Sequence, residues 1–233
     1  MNTSTAVGTI DWTTRTGGRL DPAERRRLVA DMVRVHVGNV VGQFSLLAHL
    51  NPGRKAYVSP ARLLPPDSPL RTYRFGRALG ELDELDVDIE LLFAAALLHD
   101  TGLVLASGRD EVTLTSSQVA REVAEQVGLS TAATETLQSA ITMHHSPRVT
   151  LAAGAVAYLL SAGAAVDVVG LRCWELPGST VSGTVGAHPR EGVKRYFSQA
   201  WADEAARVPQ GRAGLLRRYG AFTAAIALAP FDE

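Results

Sequence analysis

Residues 89–102 read Ile-Glu-Leu-Leu-Phe-Ala-Ala-Ala-Leu-Leu-His-Asp-Thr-Gly, an apolar run that ends on a histidine, an aspartate and, two positions on, a glycine. Asp88 offers an N-cap for this run. Its Leu and Ala residues favour a helix, and Gly102 supplies the stop. The reading is a buried helix that reaches His99, with His99 and Asp100 standing where it ends. A carboxylate in apolar surroundings is costly unless it is paired. A divalent metal would suit both side chains, because imidazole nitrogen and carboxylate oxygen both ligate zinc, iron or manganese.

On either side of this helix the chain returns more helices and little else. Asp21-Pro22 places an N-cap before a first-turn proline, opening a helix that runs to about Leu50. Residues 51–69 form a Pro- and Gly-rich loop, and Leu70 to Leu82 a short helix. Thr115 with Gln118 forms a capping box for a helix that stops at Gly128. Ser130 caps the next, which runs to about His145 and is closed by Pro147. Ala152 to Val166 is helical, Leu176 to Ala187 is a Gly/Ser-rich loop, Pro189 starts another helix, and Gly211 to Ala229 is the last. No repeat, heptad or alternating strand pattern is found. The expected fold is all-α: a single helical domain over residues 19–233, preceded by a flexible Thr- and Gly-rich lead-in over 1–18.

Length and charge narrow the function classes. A chain of 233 residues has ample material for a core, and its formal net charge of -1 argues against a large basic face for nucleic acid. Cys173 is the only cysteine, which excludes an internal disulfide and a Cys-rich metal site. It reads as a small buried hydrophobe. No signal peptide is visible. Leu151 to Leu171 imitates a membrane span but carries Asp167, which would cost roughly 2.5–3.5 kcal/mol at mid-membrane. A buried core helix is the reading. The expected setting is cytoplasmic, with a small-molecule substrate, no membrane or nucleic-acid partner, and homo-oligomerisation left open.

The candidate ligands are His99, Asp100, His144, His145 and Asp167, at helix ends or inside apolar runs. One cation could neutralise several buried carboxylates at once. The same residues also fit a satisfied polar cluster without metal, in which His99 or an arginine pairs the carboxylates; spacing alone leaves the two even. His145 reads as a solvent-facing neighbour of His144. His36 and His49 read as structural or surface residues on the first helix. Tyr73 and Trp174 are core or pocket aromatics. Ser68 and Ser146 lack a nucleophile elbow or an assignable triad.

Four segments carry a family resemblance: Arg71-Thr72-Tyr73-Arg74-Phe75-Gly76, Leu98-His99-Asp100-Thr101-Gly102, Ile141-Thr142-Met143-His144 and Asp167-Val168-Val169-Gly170. His188-Pro189-Arg190 followed by Gly192-Val193-Lys194 adds a fifth. The chain resembles the HD-domain metal-dependent hydrolases, and within them the cyanamide hydratase-like branch, over roughly Ser68 to Phe197. That resemblance implies an all-helical HD-type bundle. It also implies a divalent metal (zinc, iron or manganese) held by two histidines and two aspartates. The chain departs from this pattern at the first metal histidine, whose place is taken by Ser68. The implied metal set becomes His99, Asp100 and Asp167, with His144 or Asp67 as candidates to complete it.

The resemblance implies that metal-activated water is added to a small nitrile, cyanamide or related carbon–nitrogen compound. In that scheme Asp100, His144 and Arg71 form the catalytic set. His144 acts as general base or orienting group, and Arg71 orients Asp167 or an anionic substrate. A phosphoester is the second substrate class. A metal-free enzyme or small-molecule binding protein on a degenerate HD fold is the alternative that the missing histidine supports. A mixed-valent di-iron oxygenase would need further histidines.

Overall fold

The computed structural model describes residues 17–32, 67–106, 108–219 and 221–232, and no strand occurs among them. The lead-in up to residue 16, His36, His49 and the loop over 51–66 lie outside the described residues. A helical stretch covers 22–32. The helices that follow are α1 (Ser68–Leu82), α2 (Ile89–Leu98), α3 (Gly102–Leu105), α4 (Val112–Gln126) and α5 (Thr131–Met143). Then come α6 (Ala155–Val169), α7 (Gly178–Ala187), α8 (Val193–Arg207), α9 (Arg212–Tyr219) and α10 (Phe222–Ala227). The all-α expectation holds. No helix among the described residues is long and apolar enough to cross a membrane.

Helix α6 is the axis of the fold. Val156, Leu159 and Leu160 bury one end in a core with Phe75, Leu79, Leu92, Leu137 and Ile141 from α1, α2 and α5. At the other end, Val168 and Val169 join a second core with Phe197, Trp201, Leu215, Leu216 and Ile226 from α8, α9 and α10. This double burial explains why residues 151–171 look like a membrane span.

Helices α1 and α6 pack against each other at very close range. The reason is Gly163, where a Cβ would fall on the Thr72 carbonyl oxygen and 2.7 Å from the Gly76 nitrogen. Gly163→Ala should therefore destabilise the protein, although alanine is intrinsically the better helix former by about 1 kcal/mol. Both obstructing atoms are backbone and can retreat only if the helices separate. A net loss of about 1–3 kcal/mol is expected. Thermal unfolding checks it, and a Tm at or above wild type would show that the helices are not held at this distance.

Several boundaries differ from the sequence expectation. Helix α4 starts at Val112, so Thr115 lies inside it and the Thr115/Gln118 capping box does not form. Its N-cap is Glu111, whose side chain turns inward to Arg212. Helix α6 begins at Ala155 after a 3-10 turn over Leu151–Ala153 and ends at Val169, so Asp167 is in its last turn. The expected Gly/Ser loop is largely helix α7, which packs on α1 through a face carrying Val181 and Val185. The helix expected from Pro189 starts at Val193. Where one last helix was expected over 211–229, the described residues form two, α9 and α10.

A second buried polar cluster ties these pieces together. Arg212 and Glu111 are both fully buried and form an ion pair, with Arg212 Nε donating to Glu111 Oε2 at 3.0 Å. The same guanidinium donates to the Thr142 carbonyl at 2.5 Å and to Ser146 Oγ at 3.1 Å. It thus clamps the α5–α6 connection from both sides of His144. Burial opposes ionisation of Glu111, but the charge and hydrogen bonds of Arg212 outweigh it and lower its pKa.

Candidate metal centre

The centre is built from two helix ends. Helix α2 ends at Leu98 with His99 as its C-cap, and α5 ends at Met143 with His144 as its C-cap. Each imidazole folds back on its own last turn. His99 Nδ1 lies 2.7 Å from the Ala96 carbonyl, and His144 Nδ1 lies 2.6 Å from that of Ile141. These are carbonyls that a helix end would otherwise leave without a partner. A carbonyl only accepts, so each Nδ1 carries a proton and, in a neutral ring, each Nε2 is bare.

Both Nε2 atoms face Asp100, His99 at 3.2 Å from Oδ2 and His144 at 3.3 Å from Oδ1. Ligand atoms of His99, Asp100 and His144 lie within 4.8 Å of one another, and all three residues are buried. The turn after the His-Asp pair is equally tight. Gly102 donates its N–H to Ser116 Oγ at 2.8 Å, and a Cβ there would lie 2.8 Å from the Val112 carbonyl carbon. Any other residue would push α4 away from the pair.

The protonation pattern follows from this packing. Burial alone would raise the Asp100 carboxyl; His99, His144 and His145 outweigh it and hold it well below the usual carboxylate range. Burial would lower His99, but the Asp100 charge and hydrogen bond and the Ala96 carbonyl raise it. Burial, reinforced by the neighbouring His145, pushes His144 down to about 3 despite Asp100. At neutral pH His144 is therefore a neutral ring whose lone pair points at a carboxylate oxygen. Two acceptors facing each other at this distance call for a cation between them. A metal-ligating histidine typically anchors its other nitrogen in this way.

Asp167 does not join the three. Its carboxylate is fully buried and accepts from Arg71 Nε at 2.6 Å and from Ser68 Oγ at 2.7 Å. It is also bonded to Arg190 Nη1. Two guanidinium groups and a hydroxyl occupy its oxygens. Ser68 serves as a donor to this carboxylate. Arg71 spends its other donors on the His188 and Pro189 carbonyls, at 3.1 Å and 2.6 Å. Asp67 faces His188 Nδ1 at 3.4 Å and is not among the three.

Residues 68–172 match the HD domain. The match covers less than half of the chain and supports an HD domain in this segment. No curated protein matches the chain. The HD segment opens at Ser68 and takes in His99, Asp100, His144 and Asp167; Arg190 and helices α8 to α10 lie beyond it.

Those later helices close the space above the HD centre. A cavity of about 240 Å³ is lined by His99, Asp100, His144 and His145 on one side. Its other walls come from α6, the segments 146–149 and 171–172 on either side of it, Met32, and α8, α9 and α10. His145 was expected to face solvent. Instead its ring is sandwiched, with centroids 4.0 Å from His144 and 4.7 Å from Trp201. Its Nε2 lies 3.7 Å from Asp100 Oδ1, and its Nδ1 has no hydrogen-bond partner among the described residues. Tyr73 packs edge-on against Phe93, and neither Tyr73 nor Trp174 lines the cavity. Trp201, Phe197 and Phe222 were not singled out from the sequence, and only their spacing on amphipathic helices could have suggested them. Arg190 had a signal, the His188-Pro189-Arg190 segment.

Proposed function

We propose that the chain is a divalent-metal-dependent hydrolase or hydratase whose ion is held by His99, Asp100 and His144. The observation that carries this reading is the pair of imidazoles, each anchored by Nδ1 to its own helix end, with their Nε2 atoms converging on one carboxylate. A bound divalent cation supplies a nucleophile from water near neutral pH and polarises the bond under attack. The chain's own part is positional. The Ala96 and Ile141 carbonyls fix the imidazole tautomers, Asp100 supplies the negative charge, and the apolar walls exclude bulk water. The favoured substrate is a nitrile, cyanamide or related carbon–nitrogen compound that takes up water. A phosphoester is less well served. Of the two arginines lining the cavity, Arg172 is held by Asp83 and Glu175, and Arg148 stands opposite Asp31.

A second reading has one observation in its favour. Asp167 is saturated by Arg71, Arg190 and Ser68, as would suit an HD fold that binds a small molecule without metal.

Elemental analysis with chelation decides between the two. The first reading expects about one zinc, iron or manganese ion per chain, and metal-dependent turnover of cyanamide or a nitrile. Removing the ion should lower Tm, since ligand at about 100 times its Kd stabilises by about 2.7 kcal/mol. Affinity should rise with pH. His99 has a raised pKa, so it still holds a proton above its unfolded value of about 6.5, and metal must displace it. Ion binding should therefore release protons. Protein that takes up no ion and melts identically with and without chelator would overturn the metalloenzyme reading.

A further inference from the structure

The cavity's walls say what kind of molecule it receives. From the His/Asp group a file of rings leads into it: His144, His145, Trp201 and Phe222, with successive centroids 4.0, 4.7 and 4.3 Å apart. Val168, Leu171, Phe197 and Leu216 add apolar wall, and the polar side chains of Ser146, Tyr158 and Ser161 also border the space. The ionic groups around the space are already spoken for. Arg172 Nη2 lies 3.0 Å from Asp83 Oδ1, and Arg148 is half exposed, 4.0 Å from Asp31. Asp100 is enclosed by three imidazoles. Without an ion, an anionic ligand would leave water for a surface whose nearest cations are Arg172, held by Asp83 and Glu175, and the half-exposed Arg148 beside Asp31. Cyanamide would leave most of the 240 Å³ empty.

We propose that this cavity binds an uncharged molecule with an aromatic body, its ring seated against Trp201 and Phe222 and its polar end toward His144 and His145. Edge and offset contacts with those rings add to the burial of the ligand's apolar surface. The reading of the site as a hydrolytic centre enters only in the choice of polar end, a nitrile or carboxamide. The rings that would seat the ligand, Trp201 on α8 and Phe222 on α10, lie outside the HD segment and act whether or not an ion is present.

The test is binding of benzonitrile and benzamide against benzoate and phenyl phosphate. Each is titrated by calorimetry into the full chain, once metal-loaded and once chelated. Ala165→Phe and Ala225→Leu each add bulk to a residue lining the cavity. The neutral probes should bind. Both substitutions should weaken them about tenfold or more, as expected for losing a good part of the ring's burial, with metal content unchanged. In the chelated protein, tighter binding of benzoate or phenyl phosphate than of the neutral probes overturns the proposal. So does neutral binding that neither filled variant changes, or no neutral binding at all. Neutral binding by protein that takes up no ion keeps this inference and overturns the hydrolytic reading; ion uptake without neutral binding does the reverse.

Discussion

Asp100→Asn is expected to abolish divalent-metal retention while leaving a folded protein. Partners that merely orient a metal ligand typically cost about 10–100-fold in affinity when removed, so loss of the only carboxylate among His99, Asp100 and His144 should exceed about 100-fold. The fold should survive, because the amide has the same shape and its N–H can donate to the bare Nε2 of His144, 3.3 Å from Asp100 Oδ1 in the wild type. His99 loses the charge that raises its pKa and should titrate lower. Competition titration against a chromophoric chelator measures the first effect, and thermal unfolding in chelator the second. Should Asp100→Asn hold metal as tightly as wild type, the carboxylate is a structural partner of the histidines and the ion lies elsewhere.

The second large effect concerns stability alone. Arg212→Met should cost about 3–5 kcal/mol, the usual penalty for leaving a buried charge without its partner. Glu111 is the charge stranded, and the Thr142 carbonyl and Ser146 Oγ lose their donor as well. The double variant Glu111→Leu, Arg212→Met should recover a good part of the loss, because packed apolar groups often replace a buried pair at little cost. The pH dependence has a definite sign. In the wild type the folded pKa of Glu111 is depressed, so the pair's contribution is present above the unfolded carboxyl range and fades as pH falls through the folded value. In Arg212→Met the stranded Glu111 prefers to be protonated, so the gap to wild type should narrow in acid. A gap that stays constant with pH, or a double variant no better than the single, would show that the arginine matters only for packing.

What the sequence made legible follows from how local each signal is. The His-Asp helix was legible because its cap, its apolar run and its stopping glycine are contiguous. The position of Asp167 in an apolar run marked it as a buried carboxylate in need of a partner. Arg71 on α1 was named from the sequence as a group that orients Asp167, and it pairs with it; Arg190, in the segment before α8, is the partner that only the fold brings in. His145 was misjudged by a helical rule. Adjacent residues on a helix do not share a face, but α5 ends at Met143 and the turn that follows brings both histidines to Asp100. The start of α4 was misplaced because Glu111 is recruited by an arginine far along the chain. Helix α7 was hidden because Gly178, Gly183 and Gly186 argue against helix, and packing on α1 outweighs that preference.

The two histidines cap the C-termini of α2 and α5, and this fixes more than their tautomers. A helix accumulates roughly half an elementary negative charge at its C-terminal end, from peptide dipoles aligned along its axis. Two such ends meet around Asp100. The attraction for a cation is therefore partly a property of the main chain, written into the direction in which α2 and α5 run. It cannot be mutated away at position 68, which makes the exchange of a histidine for Ser68 less damaging than a count of side-chain ligands suggests. The same field repels an anion that approaches the centre ahead of any cation, so an anionic molecule begins at a disadvantage there before any side chain touches it.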